Sequence, residues 1–167
     1  MVRMKVKVVG LEQHTLNPVV IITDPDETGY LPILIGPSEA YAISQGLEGK
    51  RMPRPMTHDL LKNTIEALGA TVERVVIHDL REETFYARIY LKTERGEIDL
   101  DARPSDAIAL ALRADAPIYI SEELAAKAVH SNRAIHTALV RGLEASGIPA
   151  DAVQLMPTQD RAAVGAM

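Results

Sequence analysis

The sequence predicts an α+β fold: a compact mixed sheet of about seven short strands packed with helices, followed by a C-terminal helical extension. Three observations carry this expectation. Segments of period two gather into neighbouring hairpins instead of alternating strictly with helices, which argues against a doubly wound parallel sheet. Segments of helical period, each with a start and a stop residue, fall between those hairpins. With 47% hydrophobic residues but one Phe, no Trp and five Tyr, the core must be built from Val, Ile, Leu and Ala.

Residues 2 to 9 alternate in period two and read as the first strand. Residues 18 to 23 form a second, apolar run and residues 30 to 35 a third, with Asp24-Pro25-Asp26-Glu27-Thr28-Gly29 as the turn between them. Gly36 and Pro37 then open a helix that places Ala40, Ile43 and Leu47 on one face, and Gly49 is positioned to end it. A basic loop follows, Lys50-Arg51-Met52-Pro53-Arg54-Pro55-Met56. Thr57 is expected to cap the second helix, whose Leu60, Leu61, Ile65 and Leu68 are expected to face inward before Gly69 stops it.

Residues 72 to 79 and 84 to 92 read as a hairpin around Arg81-Glu82-Glu83, with Phe85, Ala87, Ile89 and Leu91 on one side and Tyr86, Arg88 and Tyr90 on the other. Residues 96 to 102 add a strand with Glu97, Asp99 and Asp101 at spacing two. Their side chains share one face at intervals of about 7 Å, while Ile98, Leu100 and Ala102 point the other way. The helix over 105 to 113 is almost entirely Ala, Ile and Leu, which implies burial on most sides, with Ser105 or Asp106 as its expected cap. Residues 116 to 120 read as a short strand, Ser121-Glu122-Glu123 as a helix start, and residues 133 to 146 as a further helix stopped by Gly147. The stretch from Gln154 is expected to be poorly ordered. The expected division is a domain over residues 1–127 and a helical extension over residues 128–167. Pro37-Ser38-Glu39-Ala40-Tyr41-Ala42 and Pro104-Ser105-Asp106-Ala107-Ile108-Ala109 agree in Pro, Ser, acid, Ala and Ala, a hint of duplicated strand-to-helix corners.

Composition narrows the chemistry. The absence of cysteine excludes disulfides, thiolate catalysis and cysteine-ligated zinc, and fits a reducing compartment. The alternating start is unlike a signal peptide and no apolar run approaches the ~20 residues of a spanning helix, so a cytoplasmic protein without membrane contact is expected. A net charge of −5 means that a polyanion would have to be met by a local basic patch. No Gly-rich phosphate loop, dinucleotide fingerprint or nucleophile elbow occurs, which removes ordinary kinases, dehydrogenases and α/β-hydrolases.

Three places could carry chemistry. The corner Asp101-Ala102-Arg103-Pro104-Ser105-Asp106 runs an acidic strand into a buried helix; it invites a functional reading, while chemistry alone favours a wet strand face ending in a capped helix. At Arg54-Pro55-Met56-Thr57-His58-Asp59, a helix mouth beside Lys50, Arg51 and Arg54 suits an anion. His58, beside both cations and a carboxylate, suits general acid/base work, and the alternative is a capped helix after a solvated loop. His78-Asp79 at a strand end could bind a metal or relay a proton, or simply form a hairpin corner. His14, His130 and His136 stand alone.

Taken together, Leu31-Pro32-Ile33-Leu34-Ile35-Gly36, Arg54 through Leu60, His78-Asp79-Leu80, Thr84-Phe85-Tyr86-Ala87 and Ala102 through Leu110 resemble the bifunctional nuclease family in order and spacing, over roughly residues 2 to 127. The resemblance implies a compact α+β domain, a cytoplasmic setting, self-association with a dimer favoured, and cleavage of DNA and RNA. Leu34 stands where that family often has Trp. With these motif positions and the charged residues beside them, His58, Asp59 and Asp106 become candidate catalytic groups, Lys50, Arg51, Arg54 and Arg103 candidate phosphate-binding groups, and Asp101 and Asp106 candidate ligands for Mg²⁺ or Mn²⁺. The rival reading is a non-catalytic oligomeric binding or regulatory module, and a third is an interaction scaffold.

Overall fold

The computed structural model describes residues 1–12 and 15–129. His14, His130, His136, the helix expected over 133 to 146 and the segment from Gln154 lie outside the described residues. In chain order the elements are β1 (Val2–Leu11), β2 (Pro18–Thr23), β3 (Tyr30–Leu34), α1 (Pro37–Glu48), α2 (Thr57–Ala67), β4 (Thr71–Arg81), β5 (Thr84–Thr93), β6 (Gly96–Ala102), α3 (Pro104–Ala114), β7 (Ile118–Ile120) and α4 (Glu122–Ala128).

The strands form one seven-stranded sheet in the order β3-β2-β1-β7-β4-β5-β6. Two antiparallel meanders, β1-β2-β3 and β4-β5-β6, flank β7, which runs antiparallel to β1 and parallel to β4. Each meander ends in a helix with proline at its start, α1 after β3 and α3 after β6. The six-residue echo in the sequence therefore falls on topologically equivalent corners.

Period-two alternation sets the two faces of the sheet. Val20, Ile22, Leu31, Ile33, Val75, Ile77, Ala87, Ile89, Ile118 and Ile120 join the main core with the buried face of α3. α3 is covered nearly all round: Ala107, Ile108, Ala109 and Leu110 are inaccessible, as its unbroken Ala/Ile/Leu run requires. Val19, Ile21 and Tyr30 form a smaller cluster with Val8 on the opposite face. Further along that face, Arg74 lies over the Tyr90 ring at 3.9 Å and pairs with Glu97 at 2.7 Å, while Arg88 pairs with Asp99 at 2.6 Å. Bulges in β1 between Val6 and Val8, and in β4 between Ile77 and Asp79, strengthen the local twist.

Three expectations are corrected. Leu60, Leu61 and Leu68 do not face inward: they are 59%, 38% and 81% exposed, and only His58 and Ile65 of α2 are buried against the domain. Periodicity located an apolar stripe, but the neighbouring α3 covers the adjacent face of the helix. The N-cap of α2 is Met56 and not Thr57, because the Asp59 carboxylate accepts the Met56 N–H at 2.9 Å and so fixes the helix start one residue earlier. The N-cap of α3 is Arg103, not Ser105 or Asp106, because Pro104 occupies the first helical position. Ile98 and Leu100 are 48% and 45% exposed, since β6 is the edge of the sheet and the helices stop short of it. Ser121 caps α4 as expected, its hydroxyl accepting the Leu124 N–H at 3.1 Å.

Candidate functional site

The β6–α3 corner gathers the chemistry. Pro104 keeps Arg103 out of the helical region, and Arg103 takes extended angles (φ −68°, ψ 141°) that bring its side chain out over the start of α3. Asp106, in the first turn of that helix, gains from the helix dipole. The Arg103 Nε donates to Asp106 Oδ2 at 2.8 Å, and Arg103 Nη1 lies 3.0 Å from Glu39 Oε1. Glu39 occupies in α1 the position that Asp106 occupies in α3. One arginine thus ties together the acids of the two echoed corners. A Cβ at Gly36 would meet the Glu39 carboxylate, the far end of a flexible side chain, so a larger residue there would have to displace that carboxylate.

The third element is α2, which delivers His58, 9% exposed, against α3. Its Nε2 lies 2.9 Å from Asp106 Oδ1. Burial acts to raise the Asp106 pKa, but hydrogen bonds from Arg103 and His58 outweigh it and hold the carboxyl below its ordinary value. An ionised carboxylate can only accept, so Nε2 carries the donated proton and neutral His58 keeps its lone pair on Nδ1. Of the five N–H groups of the Arg103 guanidinium, one faces Asp106 and one Glu39; the others remain for a ligand, and the side chain is 66% exposed.

His58, Glu39, Arg103 and Asp106 line an open depression of about 580 Å³ together with Tyr41, Gln45, Met56 and Thr57. Asp59 serves the other side of α2. Its Oδ1 accepts from Arg113 Nε at 2.8 Å, and Arg113 is 9% exposed. Burial would raise the Asp59 pKa, yet the Met56 N–H and Arg113 together lower it. Beyond that ion pair lies a second depression, of about 590 Å³, where Lys50 and Arg51 stand with Lys62 and Asn63. A third, of about 670 Å³, lies on the opposite flank of Arg103, where the end of β3, the β4–β5 turn and the start of α3 converge.

The structure therefore joins His58, Asp106 and Arg103 and adds Glu39 to them. It separates Asp59, which caps α2 and holds Arg113. Lys50 pairs with Glu48 at 3.2 Å, Arg51 lines the neighbouring depression, and Arg54 stands exposed in the loop between α1 and α2. Asp101 lies opposite Arg88 on the edge strand. Asp79 is held by Arg81 and by the Leu80 N–H, and the His78 carbonyl accepts the Ser121 hydroxyl. Glu39 was visible in the sequence only as the counterpart of Asp106 in the echo, and Arg113 carried no local signal.

Both Asp106 oxygens already face cationic or proton-donating partners, and among the described residues no three His, Asp or Glu side chains gather into a group that could hold a metal. No described helix is long and apolar enough to cross a membrane.

A family model described as the bifunctional nuclease domain matches residues 20–133. An uncharacterised protein of Mycobacterium tuberculosis is 44% identical over 126 residues, 74% of this chain and 75% of its own length. Bifunctional nuclease 1 of Oryza sativa subsp. japonica is 33% identical over 98 residues, 57% of this chain and 30% of its own. A gamma-glutamyl phosphate reductase of Novosphingobium aromaticivorans is 56% identical over 70 residues, 40% of this chain and 16% of its own.

Proposed function

The chain belongs to the bifunctional nuclease domain family, and from that premise we propose that it hydrolyses phosphodiester bonds of DNA and RNA at the corner formed by His58, Asp106, Arg103 and Glu39. The observation that supports this most is the His58–Asp106 contact at 2.9 Å beside an exposed, oriented arginine. Asp106 holds His58 in the tautomer with Nδ1 unprotonated. Nδ1 takes a proton from the attacking water as the water oxygen bonds to phosphorus, and returns a proton to the ester oxygen as that bond breaks. The free N–H groups of Arg103 bind the phosphate oxygens. Arg51 and Arg54, in the exposed loop after α1, hold the flanking backbone.

A second reading, a binding or regulatory module without turnover, is favoured by the charge at the corner. Arg103 faces two carboxylates, Glu39 and Asp106, so with His58 neutral the cluster is not net positive. Cleavage of labelled single-stranded and duplex DNA and RNA by the purified protein decides between them, with Mg²⁺, Mn²⁺ or EDTA as separate arms. Turnover lost on His58→Gln in a folded protein supports the nuclease; saturable binding without turnover in every arm supports the module.

Self-association belongs to the same proposal, through α2. Thr57, Leu61, Thr64 and Leu68 recur at spacings of four, three and four on the exposed face, the pattern of a helix-pairing seam. A second copy of the chain fits, because an antiparallel two-fold pairing makes this stripe self-complementary. It would bring Leu68 of the partner subunit beside Met56 and Thr57, at the mouth of the depression that His58 lines.

A further inference from the structure

We propose that the depression on the opposite flank of Arg103 is a nucleobase subsite, so that a bound nucleotide straddles Arg103 with its phosphate on the guanidinium and its base in the depression. This inference rests on the reading that the substrate is nucleic acid. Arg103 lines both depressions, which makes it the divide between them. The far one is walled by Pro32, Leu34, Phe85 and Pro104, one planar aromatic ring among apolar aliphatic groups against which a planar heteroaromatic group can lie. Its volume of about 670 Å³ exceeds what one base needs.

Two polar features set the chemistry of the occupant. Ser105 lines the depression at 6% exposure, and its hydroxyl makes no hydrogen bond with another described residue. The hydroxyl can both donate and accept, and the edge of a base supplies matching acceptors and donors. Glu83, from the β4–β5 turn, stands on the rim and repels a second phosphate, so a neutral ring is the better match there. The arrangement uses the Leu31 to Gly36, Thr84 to Ala87 and Ala102 to Leu110 blocks at once, which are distant in the chain and meet at this depression.

Leu34 gives the test. It is 62% exposed, so substitution leaves the core intact, and the chain has no Trp, so Leu34→Trp installs a single tryptophan fluorophore, excited apart from the five tyrosines, in the wall. Adenosine 5′-monophosphate should quench that fluorescence saturably and bind about tenfold more tightly than ribose 5-phosphate. In the otherwise unaltered chain, Leu34→Asp should weaken adenosine 5′-monophosphate binding about tenfold by calorimetry and leave ribose 5-phosphate binding unchanged. Equal binding of the two ligands, or indifference to Leu34→Asp, would overturn the subsite even if the protein cleaves nucleic acid. Base-dependent binding in a protein that cleaves neither DNA nor RNA would uphold the subsite and remove the nuclease reading alone.

Discussion

His58 and Asp106 lie 48 residues apart in the chain and 2.9 Å apart in space, and they meet because α2 packs against α3 at its N-terminal turn. If His58 moves the proton, His58→Gln should lower kcat by about 10²-fold or more while the thermal midpoint changes little. Asp106→Asn should lower kcat less and alter its pH profile, since it removes the group that fixes the tautomer and leaves the imidazole in place. Steady-state cleavage kinetics across pH on both variants check this pair.

Arg103 should not be replaceable by lysine. An ammonium cannot face Asp106, Glu39 and a phosphate in one plane, whereas the guanidinium presents separate donors to each. Arg103→Lys is therefore expected to raise KM at least about tenfold, with circular dichroism unchanged because the side chain is exposed. A KM within twofold of the parent would remove Arg103 from phosphate binding.

Asp59 is expected to act on stability. Its carboxylate caps α2 and neutralises the mostly buried Arg113, and Asp59→Asn should cost about 1 kcal/mol, the lower part of the range for charged hydrogen bonds because Asp59 is partly exposed. Its folded-state pKa lies below the ordinary 3.8, so this stabilisation is complete above pH 3.8 and fades as pH falls through the folded value. Urea unfolding of parent and variant should show a gap at pH 7 that narrows progressively below pH 3.8.

The α2 stripe makes a claim about mass. Leu61→Glu with Leu68→Glu should convert a dimer to a folded monomer in sedimentation equilibrium, because both leucines are exposed in the single chain. A monomeric parent protein would show that a second copy is not what covers the stripe.

Gly46 tests the approach of α1 to α3. A Cβ there would sit 3.0 Å from Arg113 Nη1 and 3.1 Å from Leu112 Cβ, so Gly46→Val should destabilise by about 1–3 kcal/mol despite relieving the entropy cost of glycine. Thermal unfolding measures it directly.

Strands and buried helices were legible because period and burial coincide there: Ala87, Ile89 and Leu91 alternate in the sequence and face the core in the sheet. α2 shows where that reasoning stops. Hydrophobic periodicity says that Leu60, Leu61 and Leu68 want a partner, but not whether the partner belongs to the same chain. The corner shows a second limit. His58 and Asp106 were each marked by local composition, whereas the pairing of Arg103 with Glu39 and of Asp59 with Arg113 depends on helix packing that no local window contains. The Pro-Ser-acid echo was the one local trace of that arrangement, and its meaning needed the two corners to be seen side by side.

β7 is three residues long, sits at the centre of the sheet and is made after the six strands on either side of it. Val2 in β1 pairs with Ile120, so the halves join only when almost the whole domain has been synthesised. The two meanders have local contacts and can form early, while their union must close a loop of more than a hundred residues, the slowest kind of contact to make. Until then each half presents an open strand edge, β1 on one side and β4 on the other, and each edge is a template for another nascent chain. Substitutions at Ile118 or Ile120 should therefore reduce the yield of soluble protein during expression more than their effect on equilibrium stability would imply.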